Sequence, residues 1–421
     1  MPVQRMWRIL QSGAGQAIMQ QILSQLDVSG RRARYKRFRM PLPQDLRTSL
    51  LKRQYRTDAY IDGYNEEQED DDEVGELPNV RAQQYHVPPA RAPGAYAPLS
   101  CDDCFSSALE IDIPCIVSSP GDSEKHATIR AYFTPPCSGL TPSSTVMVCH
   151  HGAGFGALSF ALMAKEVSRI SKGELGVLAY DCRGHGKTTF PLEEKKNMSL
   201  EALTSDLLAL LKTMFRDVDQ RPSFLLVGHS MGGAVVVEAA HALEREHDIR
   251  VAGVAMIDIV EDTSLQLLPN MSRIVRQRPL GFASLESAIQ WHIKTRTIRN
   301  AESARRSVPS LVHLMRGYRD LPWRWNADLI ETEPYWTGWF KGLSSKFLAC
   351  HAARLLILAE TDRLDRTLMI GQMQGKYQLV VNPHAGHCVQ EDDPTSTADT
   401  LFHFWRRNDK LPPGLRPVGR S

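Results

Sequence analysis

The sequence predicts an α/β fold with a mostly parallel central sheet, helices on both faces and a helical, tryptophan-rich insertion near the end. Three observations carry that prediction. Short, β-branched apolar runs alternate with longer patterns of helical period between about Leu99 and Arg406. Polar and glycine-rich clusters follow those runs, where open parallel sheets place their active sites. The interval Glu261 to Ser345 breaks the alternation.

In chain order, the strand candidates are ATIRAYF from Ala127, TVMVCH from Thr145, GVLAY from Gly176, SFLLVG from Ser223, VAGVAMIDIV from Val251, RLLILAE from Arg354 and YQLVV from Tyr377. Helical periodicity marks Leu158 to Ser171, Ser199 to Phe215, Met231 to Glu246 and Thr395 to Trp405 between or after them. The interval from 261 to 345 is mostly helical in pattern and holds Trp323, Trp325, Trp336 and Trp339. An aromatic insertion before the last strands is expected to cap the active site; an ordinary packing layer on the sheet would suit the same composition.

With 421 residues, 42% hydrophobic and 23% charged, the chain is neither disordered throughout nor fibrous. Its net charge of +2 conceals two opposed blocks. Met1 to Arg56 has 12 Lys or Arg against 2 acids, and Thr57 to Val80 has 10 acids and no Lys or Arg. With the Pro- and Ala-rich stretch that follows, residues 1–98 are expected to be a disordered extension, and 407–421 a disordered tail, around one domain at 99–406.

Eight scattered cysteines suit free thiols in a reducing, cytoplasmic location. The basic cluster Arg31 to Arg39 is a candidate nuclear import signal. Cys101 and Cys104 have no second pair at zinc-ligand spacing, so no metal or other cofactor is expected. No run of about 18 apolar residues suggests a membrane span. The basic block lacks the interleaved aromatics of a nucleic-acid platform beyond Tyr35 and Phe38.

The strongest local signal is Gly228-His229-Ser230-Met231-Gly232, a GxSxG with an apolar strand before it and a Gly/Ala-rich helix after it. That turn exposes a serine nucleophile, Ser230, beside a helix N-terminus. Acyl transfer then needs N–H donors for the developing oxyanion. Met231 is one, and Ala153 or Gly154 in the loop HHGAGFG is the other. The base belongs after the last strand, where His387 is better placed than His384. The acid is contested: Asp362 follows the penultimate strand, Asp258 ends the strand before it and Asp181 reads as structural, and topology alone leans towards Asp362.

Taken together, HHGAGFGALSF, DCRGHGKT, LLVGHSMGGA, MIDIVE, RPLGFASLESAIQW with IRNAESAR, YWTGWFKGLSSKFL, DRLDRTLMIGQMQGKYQ and AGHCVQED resemble the protein phosphatase methylesterases. The resemblance covers about Leu99 to Trp405. It implies an α/β-hydrolase fold and a serine carboxylesterase that removes the methyl ester from the C-terminal leucine of the type 2A phosphatase catalytic subunit, its partner. It also implies Ser230 as nucleophile, His387 as base and Asp258 as acid, with Asp362 as fallback, and a Ser-to-His distance that is long until the phosphatase docks. Ala153 departs from the glycine more usual there. A general esterase or lipase, with an apolar acyl tunnel, and a hydrolase-fold protein that sequesters inactive phosphatase are the competing readings.

Overall fold

The structure, a computed structural model, describes residues 94–114, 126–246, 249–317, 320–360 and 364–408. The basic and acidic blocks, the import candidate, Cys115, Asp362 and residues 409–421 lie outside the described residues, whereas 94–98 of the expected extension are described and Arg407 and Asn408 of the expected tail end the last helix.

Eight strands form one sheet: β1 (Ser107–Pro114), β2 (His126–Thr134), β3 (Thr145–His150), β4 (Leu175–Tyr180), β5 (Ser223–His229), β6 (Val251–Ile257), β9 (Arg354–Leu358) and β10 (Gln378–Val381). Their spatial order is β1-β2-β4-β3-β5-β6-β9-β10, parallel from β4 onward and antiparallel at β1 and β2. Strands β3, β4 and β5 are buried at every residue. Successive side chains point to opposite faces, so their unbroken apolar runs feed two cores. On one face Val146, Val148, Leu178 and Leu226 meet α2 (Leu200–Met214) and α3 (Met231–Glu244) through Leu203, Leu207 and Val235. On the other, Met147, Cys149, Val177 and Leu225 meet α1 (Ala161–Ile170) and α10 (Pro394–Asn408) through Met163, Val167, Leu401 and Phe404.

Strand β1 was not predicted. Its burial alternates, with Glu110 and Asp112 facing outward, so it lacks the continuous apolar signal of the central strands. A short helix, α9 (Arg366–Met373), joins β9 to β10 and was also not predicted.

The interval after β6 holds α4 (Glu261–Arg276), α5 (Leu285–Lys294), α6 (Ala301–Ser307), a hairpin of β7 (Val312–Leu314) and β8 (Trp323–Trp325), α7 (Trp336–Phe340) and α8 (Leu343–Ala349). Its tryptophans divide. Trp323 and Trp325 pack with Trp291, Phe282 and Ile289 in a core belonging to the insertion. Trp336 and Trp339 enter the sheet's own core, where Trp339 Nε1–H donates to Met198 O at 2.7 Å. The insertion is therefore a cap in its first part and a packing layer in its last.

Candidate active site

Strand β5 ends at His229 and α3 begins at Met231, which leaves Ser230 in the turn at φ 52° and ψ −121°. That conformation is costly for any side chain and persists only where neighbours impose it. Here two glycines impose it. A Cβ on Gly228 would stand 2.1 Å from Gly232 O, and a Cβ on Gly232 would stand 2.2 Å from His150 O. Ser230 N–H donates to Ile257 O at 3.0 Å, and its carbonyl accepts from Gly233 at 2.8 Å. The residue is half-buried. Met231 opens α3, so its N–H lacks an intrahelical partner and lies at the positive end of the helix dipole.

Beyond β6, Asp258 also sits at positive φ, 49°. Its N–H donates to Ile357 O at 2.7 Å, and its Oδ1 accepts from Ala359 N–H at 3.0 Å. Its Oδ2 lies 2.8 Å from His387 Nδ1. The carboxylate is wholly buried, whereas the His387 side chain is 36% exposed. Sequence order leans towards Asp362, after the penultimate strand, and that lean needs correcting: β6 and β9 are parallel neighbours, each followed by an acid, so order along the chain does not fix which one reaches the histidine. The geometry joins Asp258 to His387. His384 is exposed and bonds through its backbone, to Asn382 and Arg299. Among the described residues, no hydrogen bond joins Ser230 Oγ to His387.

The loop after β3 requires one correction. Gly154, at φ 79°, donates its N–H to His185 Nε2 at 2.8 Å, so it has no N–H to offer an oxyanion. No hydrogen bond among the described residues engages the N–H of Ala153 or Met231. Asp181 is structural: its two oxygens accept from the N–H groups of Ala157 and Lys187 at 2.8 and 3.0 Å.

Four buried imidazoles frame this edge. His150 and His151 bond through Nδ1 to the carbonyls of His151 and Gly152, and His151 Nε2 accepts from Cys182 N–H at 3.0 Å. His185 Nδ1 donates to Arg183 O at 2.9 Å, leaving Nε2 for Gly154. His229 Nε2 lies 2.9 Å from His387 O. Because a carbonyl accepts, His229 must donate there, which leaves Nδ1 as a lone pair. That atom has no partner and faces Gly152, where a Cβ would stand 2.9 Å away. Burial holds all four imidazoles neutral, pushing His150 and His185 down to about 4, His229 to about 3 and His151 well below its usual range. Sequence reasoning missed these roles; the only hint was the density of histidine in HHGAGFG, RGHG and GHSMG.

The cap closes over the same edge. Leu329 Cδ1 and Arg278 Nη1 lie 2.9 and 3.4 Å from where a Gly154 Cβ would be, and Arg278 stacks on Trp325 at 3.7 Å. A cleft between the 184–198 loop and the cap is lined by Lys195, Lys196, Asp328 and Glu331, so its walls are charged. The His387 loop itself hangs from the cap. Asp392 accepts from Arg299 N–H at 2.6 Å and from Gly386 N–H at 2.7 Å. Ser303 Oγ donates to Glu391 O at 2.7 Å, Ser307 Oγ to Glu391 Oε1 at 2.5 Å, and Cys388 packs in the cap's core.

An elbow serine, a buried carboxylate on a half-exposed histidine and two unengaged amides are the parts of nucleophilic acyl transfer. The alpha/beta hydrolase family matches residues 147–400. The chain is 42% identical over 359 residues to a protein phosphatase methylesterase 1 of Cryptococcus neoformans, covering 77% of this chain and 82% of that one. It is 43% identical over 304 residues to the protein of that name in Schizosaccharomyces pombe, covering 71% and 86%. Among solved structures, a peroxisomal α/β-hydrolase of Saccharomyces cerevisiae superposes with a TM-score of 0.56 at 14% identity, over 75% of this chain and 93% of that one. An E-2-(acetamidomethylene)succinate hydrolase gives 0.53 at 20% identity, over 71% and 99%.

Proposed function

The chain belongs to the protein phosphatase methylesterases of the α/β-hydrolase family, and from that premise we propose that it demethylates the C-terminal leucine of a type 2A phosphatase catalytic subunit, releasing methanol. Methyl-ester hydrolysis on a protein phosphatase goes with the family. The type 2A subunit and its terminal leucine are our reading, supported by the family motifs in the sequence.

In this reading Asp258 holds the Nδ1–H of His387, which turns Nε2 toward the serine. His387 takes the Ser230 proton as the alkoxide attacks the ester carbonyl, and the N–H groups of Ala153 and Met231 hold the oxyanion. His387 then protonates the departing methanol. Water, activated by the same histidine, releases the free carboxylate, while Asp258 stabilises the imidazolium. Docking of the phosphatase tail brings His387 within reach of Ser230.

One observation carries the chemistry: the 2.8 Å contact of Asp258 with His387, on the sheet edge that also carries the Ser230 elbow. The charged cleft reaches His185, which holds the Gly154 amide of the loop after β3, and its walls suit a polypeptide substrate better than the acyl chain of a lipase substrate. The test is release of methanol from methylated phosphatase catalytic subunit. Ser230→Ala should lower it by at least ~10⁴-fold while phosphatase binding persists. Unchanged demethylation by that variant would remove Ser230 from the mechanism. Retained phosphatase binding by a parent chain that never releases methanol would favour a sequestering protein. We further propose a cytoplasmic location with nuclear entry through Arg31 to Arg39; an unchanged nuclear fraction after deleting that cluster would remove the second part.

A further inference from the structure

Upstream of β1, Cys101 and Cys104 occupy one turn. Cys104 N–H donates to Cys101 O at 2.9 Å, the Cys104 thiol donates to Asp103 Oδ1 at 3.5 Å, and the Cys101 thiol donates to Arg306 O at 3.7 Å. A turn of this kind brings residues i and i+3 within about 7 Å, near the range a disulfide needs.

The two thiols differ in a way that matters chemically. Cys101 is half-buried and can be attacked or attack; Cys104 is 3% exposed. Arg306 Nη1 donates to Cys104 Sγ at 3.6 Å, so a guanidinium sits against the second sulfur, while the backbone carbonyl of the same residue faces the first. Asp103, which would repel a thiolate, is itself paired with Lys165 and Arg306, each at 2.6 Å. The neighbouring Cys104 thiol, helped by Arg306, holds the Cys101 thiol below its usual range, while Cys101 and burial push Cys104 up. A half-buried, accessible first cysteine with a lowered thiol pKa and a buried second one are the arrangement of thiol–disulfide exchange centres.

We infer that Cys101 and Cys104 form a redox-active dithiol, which closes to a disulfide by exchange with a small disulfide of the glutathione type. The Cys101 thiolate attacks one sulfur of the small disulfide and expels a thiolate, leaving a mixed disulfide on Cys101. Cys104 loses its proton to that thiolate and attacks the Cys101 sulfur, expelling the second small thiolate, which takes the proton that Cys101 lost. Two protein thiols are oxidised, one small disulfide is reduced to two thiols, and no other reactant is needed. Arg306 lies on α6, and α6 also holds Glu391, so the pair abuts the helix that carries the His387 loop.

The experiment takes the full reduced chain. At pH 7, iodoacetamide should label Cys101 roughly 10-fold faster than the exposed Cys137, with Cys104 protected, as its lower thiol pKa requires. With oxidised glutathione, peptide mapping should find the Cys101–Cys104 segment two hydrogen atoms lighter and free of glutathione. Cys104→Ser should instead stop at a stable glutathione adduct on Cys101, and Cys101→Ser should leave Cys104 unmodified. Equal labelling of the two cysteines, or a glutathione adduct that persists on Cys101 in the parent chain, would overturn the assignment.

Discussion

The two halves of the candidate site belong to different parts of the molecule. Ser230 is held by the sheet alone, through Gly228, Gly232, His150 O and Ile257 O. The loop bearing His387 touches the sheet side through Asp258, His229 and the packing of Ala385 and Val389, and is tied as well to the cap, through Arg299, Ser303, Ser307 and the packing of Cys388. The nucleophile half is thus fixed by backbone collisions that admit no alternative, whereas the base half is shared between the sheet side and hydrogen bonds to an insertion. A substitution in the insertion can therefore shift His387 while leaving the Ser230 elbow in place.

Breaking the sheet-held half should abolish the structure rather than tune it. Gly232→Ala drives a Cβ into the His150 backbone, and we expect little folded protein, a loss of about 3 kcal/mol or more in urea unfolding. A soluble variant of parental stability would mean the elbow is softer than its geometry.

Severing the link between the halves comes next in size. Asp258→Asn should keep the fold and lower methanol release on the order of 10⁴-fold, the cost of presenting the wrong histidine tautomer. Asp362→Asn should stay close to the parent; the opposite ranking would transfer the acid's role to Asp362.

A smaller effect is expected at His229. Replacing it by Leu removes the N–H to His387 O, worth about 1–3 kcal/mol when buried, and should lower kcat roughly 10-fold with KM little changed. His229→Gln, which keeps an N–H, should recover part of the loss. Equal deficits in both variants would point to packing rather than positioning.

The smallest effect sharpens the cap-held half. Burial, with Asp392 nearby, pushes Glu391 up to about 8 from an ordinary 4.5. Between those values the native state holds a proton that the unfolded chain has released, so its contribution to stability is present at low pH and is lost as pH rises toward 8. Glu391→Gln should therefore unfold at higher urea than the parent at pH 8.5, the gap closing toward pH 5. Parallel curves across that range would show that Glu391 is ionised in the native state.

Much of the fold was legible because β3, β4 and β5 are uninterrupted apolar runs, and the elbow was legible because its strand, turn and helix lie within one short stretch. What escaped detection depends on distance or on half-burial. β1 alternates with charges, and the β7–β8 hairpin has only three residues per strand. His185 takes the Gly154 amide from 31 residues away, and His229 reaches His387 O across 158. No local pattern announces such pairings, which is why the oxyanion loop yielded two donor candidates from sequence and one from structure.

At the margin of the sheet, β1 has a consequence for the chain's behaviour in a crowded solution. Among the described residues no strand pairs with its outer edge, whose N–H and C=O groups would otherwise be open to any extended neighbour. Glu110 and Asp112 project from it, Glu110 pairs across the register with Arg130 at 2.5 Å, and Pro114 ends it without a donor. Such charges and a terminal proline discourage strand-to-strand association. The edge is thereby protected against seeding aggregates during the slow assembly of a largely parallel sheet.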